Sequence, residues 1–163
     1  ECTLFGAAAF HQPLERWNVS AVPHMGSMFW GAATFNQPLE KWNVSAVTNM
    51  KGMFKIAAAF NQPLEKWNVS AVVTMESMFQ DAKTFNQPLE NWNVSAVKDM
   101  SWMFAYATSF NQPLDKWNSS AVAKTRNISN IGIGSAAATV LGSELMGAAE
   151  ELAIGFTLIS LFE

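Results

Sequence analysis

Two histidines, His11 and His24, and one cysteine, Cys2, are the whole supply of the side chains most used for nucleophilic and general-base chemistry. They form no nucleophile–base pair, and the chain carries no glycine-rich phosphate loop or metal-ligand cluster. A lone cysteine also excludes an internal disulfide. The nine methionines suggest haem or copper ligation at first sight, but all except one recur at a fixed step, as core residues that fill gaps would. The carboxylates Glu15, Glu40, Glu65, Glu90 and Asp115 are also evenly spaced. Such a ladder has no geometric reason to make the converging pair that glycoside hydrolysis requires. The expectation is therefore a protein that is not an enzyme. A net charge of -3 gives no electrostatic case for nucleic acid.

The elements that hold these residues repeat every 25 residues. Phe10, Phe35, Phe60, Phe85 and Phe110 keep the step, as do Trp17, Trp42, Trp67, Trp92 and Trp117. The pairs Met28-Phe29, Met53-Phe54, Met78-Phe79 and Met103-Phe104 keep it without insertion or deletion. A fixed period of this length marks a tandem array whose units bury their apolar face against their neighbours. The first unit is truncated and nothing cap-like precedes Phe10, so an upstream coil is expected in a longer parent protein. In the last unit Ser119 replaces Val and Thr125 replaces Met, which ends the array near Val122.

Within a unit, Leu14-x-x-Trp17-x-Val19-x-x-Val22 copies the spacing of a leucine-rich repeat. The alternation in Trp17-Asn18-Val19 predicts a short strand, and Val22, Met25, Met28 and Phe29 predict a short helix or 3-10 turn. The predicted fold is an α/β solenoid, leucine-rich-repeat-like, followed by a C-terminal hydrophobic helix. Residues 1–122 form about five coils, 123–135 a linker and 136–163 the helix. At a strand spacing of about 4.8 Å the rod is on the order of 25 Å long.

The recurring polar residues divide into ladders and faces. Asn36, Asn61, Asn86 and Asn111, each followed by a glutamine, read as structural amide ladders that satisfy backbone groups between coils. The column of Arg16, Lys41, Lys66, Asn91 and Lys116 stands beside the acidic one, and Asn18, Asn43, Asn68, Asn93 and Asn118 form another. This strip either binds a partner or glycan, with Lys41, Lys66, Asn43 and Asn68 at its centre, or is a solvated face of weak ion pairs. The N-V-S triplets match the glycosylation acceptor pattern. Glycans at strand spacing would crowd, so the triplets are read as a by-product of the repeat. Trp30, Trp102 and Tyr106 stand outside the repeated core columns: if exposed they mark a contact edge, and the alternative is ordinary packing against the next coil.

The unit F-N-Q-P-L-E-x-W-N-V-S-x-V-x-x-M-x-x-M-F-x-x-A resembles the bacterial surface protein repeat, the BspA-like group related to leucine-rich repeats, over residues 3–122. The resemblance implies a solenoid with an interaction role, often on a cell surface, and carries over no catalytic residue.

After Asn130 the composition changes. From Ile131 to Phe162 there is no Lys or Arg, and Ala136 to Phe162 is long enough to span a bilayer as a helix. Ser143, Gly147 and Gly155 belong to a stripe of small residues suited to close helix packing. Glu144 and Glu151 share a face. The stretch SELMGAAEELAIGF is similar to the pigment-ligating helix of light-harvesting proteins, though it lacks their Asn-Gly-Arg pattern. That similarity implies a metal or chlorophyll-type pigment at Glu144 or Glu151. The alternative is an amphipathic helix that caps the stack with its glutamates in water.

The resulting expectation is a protein-interaction scaffold, tethered to a membrane or displayed on a cell surface or organelle membrane. The alternative is an accessory subunit of a large membrane complex, such as a photosynthetic one.

Overall fold

The computed structural model describes residues 12–124 of the chain. Among them the 25-residue period is a stack of coils, joined by parallel bridges that run His24, Asn49, Thr74, Asp99 and Lys124 in one column. The core sits inside the coils. Phe29, Phe54, Phe79 and Phe104 stack in one column with ring centroids 5.4–5.6 Å apart. Phe35, Phe60, Phe85 and Phe110 form a second column, at 5.9–6.0 Å. The two columns touch within each coil, as Phe54 and Phe60 do at 4.1 Å. All eight rings are almost fully buried, each worth about 1.5–3 kcal/mol in water-excluded surface. The inner methionines Met50, Met53, Met75 and Met78 are buried beside them.

The secondary structure corrects the sequence-based expectation. Among the described residues there is no α-helix, no 3-10 helix and no strand beyond isolated bridges. The fold is therefore not the α/β, leucine-rich-repeat-like stack of strand plus helix. Trp-Asn-Val does alternate, with Trp42 and Val44 buried and Asn43 and Ser45 exposed, but it is held by turns. Trp42 N–H bonds the Leu39 carbonyl at 3.0 Å, and Val47 N–H bonds the Val44 carbonyl at 2.9 Å. Between them Asn43 Oδ1 accepts the Ser45 N–H at 3.1 Å and the Ser45 hydroxyl at 2.7 Å. An Asn side chain that mimics the backbone in this way favours a turn over a ladder.

The segment expected to be helical carries the inter-coil ladder instead. Met25, Ser27, Phe29 and Gly31 donate their N–H groups to the carbonyls of Asn49, Lys51, Met53 and Lys55 at 2.8–2.9 Å. The intervening groups turn back locally: Met28 N–H bonds Met25, Trp30 bonds Ser27 and Ala32 bonds Phe29. The same alternation repeats in the next coils. A helix cannot form because two residues per coil are left-handed. The first column is Ser27, Gly52, Ser77 and Trp102, with φ between 56° and 61°. The second is Gly31, Ile56, Asp81 and Tyr106, with φ between 58° and 74°. Consecutive tight turns space apolar residues by three and four, as a helix does, so burial periodicity alone did not separate the two.

No helix of the described residues is long and apolar enough to cross a membrane. The expected C-terminal helix over 136–163, with Ser143, Gly147, Gly155, Glu144 and Glu151, lies outside the described residues, as does most of the 123–135 linker.

Candidate functional site

Each coil presents two edges to solvent. The first is the Trp-Asn-Val-Ser edge, and its polar residues are tied to one another. Each inner tryptophan reaches back one coil: Trp42, Trp67, Trp92 and Trp117 donate Nε1–H to the carbonyls of Leu14, Leu39, Leu64 and Leu89 at 2.9–3.0 Å. The charged columns pair between coils, Lys41 with Glu15 at 3.8 Å, Lys66 with Glu40, and Lys116 with Glu90 at 3.2 Å. Where the basic column changes to Asn91, its amide still donates to Glu65 Oε1 at 2.9 Å. The Glu40 carboxylate, by hydrogen bond and charge, holds the Lys66 ammonium above its ordinary pKa. Of the residues expected to bind a partner, Lys41 and Lys66 are thus ion-paired, and Asn43 and Asn68 use their side-chain oxygens in their own turns.

The amide ladder is structural, as expected. Asn61, Asn86 and Asn111 donate backbone N–H to Asn36, Asn61 and Asn86 Oδ1 at 2.9 Å, one coil back. The following glutamine clamps the same oxygen, as Gln62 Nε2 does on Asn36 at 3.0 Å. The ladder runs along the surface rather than deep between coils, since these residues are exposed or half-buried. No buried side-chain polar atom among the described residues lacks a partner.

The second edge follows the left-handed columns and is where the coils differ. Trp30 is half-buried, with the Lys55 ammonium 4.6 Å from its ring centroid, a cation–π contact between adjacent coils. Trp102 is half-buried at φ 61°. Tyr106 is 42% exposed at φ 60°, in the same column as Ile56, which is also 42% exposed. The structure therefore brings Trp30, Trp102 and Tyr106 to one edge, apart from Lys41, Lys66, Asn43 and Asn68. Ile56 and Val73 are exposed apolar residues that sequence reasoning did not single out. The signal for Ile56 was Gly31, one period earlier, whose φ of 74° marks a position that disfavours side chains.

Among the described residues, no group of three or more His, Cys, Asp and Glu side chains lies close enough to hold a metal ion. The geometry is that of a tandem-repeat protein whose distinguishing residues lie along an edge. Residues 2–75 and 39–132 match the family model described as Mycoplasma protein of unknown function, DUF285. Together these overlapping matches span most of the chain, which belongs to this family. No curated protein and no solved structure matches it.

Proposed function

We propose that this DUF285 protein is a non-enzymatic interaction scaffold that presents the edge bearing Trp30, Trp102 and Tyr106 to a protein partner. One observation carries the reading. Large side chains occupy left-handed positions that other coils fill with glycine or serine: Trp102 where Gly52 stands, and Ile56 and Tyr106 where Gly31 stands. A non-glycine residue in this conformation costs about 1–2 kcal/mol. Backbone strain of this kind is kept where the side chain has a use beyond folding. Aromatic side chains at an exposed edge are the usual anchors of protein interfaces. Resemblance of the repeat to BspA-like surface repeats supports display at a cell surface. The apolar composition of 131–162 supports attachment to a membrane, or a place as an accessory subunit within a membrane complex.

Affinity capture with three proteins tests the assignment: the native chain, a Trp30→Ser/Trp102→Ser/Tyr106→Ser variant and a Lys41→Ser/Lys66→Ser variant. The expected result is a partner held by the native and lysine-substituted chains and lost from the aromatic variant at similar melting temperature. Retention by the aromatic variant, or loss with the lysine variant alone, assigns the function to the other edge.

A further inference from the structure

Carboxylates in this stack are used by the neighbouring coil. Glu15, Glu40, Glu90 and Asp99 pair with lysines one coil ahead, Glu76 pairs with Lys51, and Glu65 accepts the Asn91 amide. Asp81 departs from this rule inside the stack, with a described coil on either side of it. Among the described residues its carboxylate has no hydrogen bond and no ion pair. Two lysines stand near it in the chain. Lys55 is turned to the Trp30 ring instead, and Lys83 is exposed and pairs with no carboxylate.

Asp81 stands in the second left-handed column between Ile56 and Tyr106, all three at φ 58–60°. The backbone ladder fixes them in register. Ile56 N–H bonds the Gln80 carbonyl and Asp81 N–H bonds the Ala105 carbonyl, both at 2.8 Å. Each carbonyl belongs to the peptide unit that carries the next residue of the column, so the step between the three is about 5 Å. Ile56 and Tyr106 are exposed and Asp81 is half-buried. An anion is thus held between an aliphatic and an aromatic side chain. Apolar neighbours displace water from beside a carboxylate and strengthen its attraction for a cation.

We infer that this strip takes an arginine side chain of the protein partner, an inference that rests on the edge assigned above. The guanidinium gives the carboxylate two parallel hydrogen bonds, its flat face lies on the Tyr106 ring, and its methylene stem covers Ile56. A lysine ammonium is a compact point charge without a flat face, and it uses the anion but not the aromatic.

Two-dimensional NMR of the full chain tests this, with the peptide acetyl-Gly-Arg-Gly-amide as probe and its lysine and citrulline counterparts as controls. The arginine peptide should give saturable shifts of the Ile56, Asp81 and Tyr106 amides, the lysine peptide weaker ones and neutral citrulline the weakest. Asp81→Asn keeps the size of the side chain and tolerates the left-handed backbone. It should weaken arginine binding about fivefold, the upper end of what an exposed pair supplies, at a native melting temperature. Shifts along the Glu40 and Glu90 columns with none at Asp81, or binding unchanged by Asp81→Asn, overturn the inference. Partner capture with Asp81→Asn separates it from the reading beneath it. A partner lost from both this variant and the triple aromatic variant supports the arginine contact. A partner kept by Asp81→Asn and lost from the aromatic variant removes the arginine and leaves the edge assigned. Retention by both removes the edge and the inference with it.

Discussion

The two edges of the stack are built from the same repeat and behave as opposites. Along the Trp-Asn-Val-Ser edge nearly every coil has the same residues, and the asparagine oxygens, the inner indoles and the lysines Lys41, Lys66 and Lys116 are used by their own turn or by a neighbouring coil. Along the left-handed edge the backbone is just as regular, with N–H groups bonded coil to coil at 2.8–3.0 Å, but the side chains change from coil to coil. The first edge spends its side chains on holding the stack. The second holds the stack with its backbone, so its side chains can vary. This is why the proposed contact is placed on the variable residues and not on the more conspicuous lysine and asparagine columns.

The comparison can be broken or sharpened by substitution. The largest effect is expected beneath both edges: Phe79→Ala in a central coil should cost about 3–5 kcal/mol in denaturant unfolding. Next is Trp67→Phe, which keeps most of the apolar surface but leaves the buried Leu39 carbonyl without its indole donor. That carbonyl keeps the Trp42 N–H, so a loss of about 0.5–1.5 kcal/mol is expected, and an unchanged midpoint would show that the indole hydrogen bond contributes nothing. Asn68→Ala deletes the cap on the Ser70 turn and should cost about 0.5–2 kcal/mol, by analogy with side-chain caps elsewhere. On the other edge the sign reverses. Ile56→Gly relieves a β-branched residue at φ 60° and should stabilise by about 1 kcal/mol, while weakening the contact edge.

The smallest effect belongs to the exposed Lys66–Glu40 pair. The folded state raises the lysine pKa, so its contribution is fully present at neutral pH and is lost as pH rises through the folded value. Lys66→Ala should move the melting temperature little, and less still in high salt.

Much of this was legible in the sequence. The 25-residue step predicted the stacked coils, the phenylalanine and methionine columns and the amide ladder, because identical side chains must stack on copies of themselves. The neighbouring acidic and basic columns anticipated the inter-coil ion pairs. What could not be read was how the backbone hydrogen-bonds. Alternation in Trp42-Asn43-Val44 reports which side chains are buried, and a turn capped by Asn43 buries the same ones as a strand. Spacing of three and four at Met50, Met53 and Phe54 reports burial as well, and fits successive turns as readily as a helix. The left-handed positions were hidden because Ile56, Asp81, Trp102 and Tyr106 occupy them, and only Gly31 and Gly52 gave a hint.

The most direct test of this backbone is the scalar coupling transmitted across amide hydrogen bonds, measured by NMR in a central coil. The structure predicts couplings from the N–H groups of Met75, Ser77, Phe79 and Asp81 to the carbonyls of Asp99, Ser101, Met103 and Ala105, one coil ahead. Couplings from Phe79 to Met75, four residues back, would mean a helix and would contradict the fold and the division of labour between its two edges.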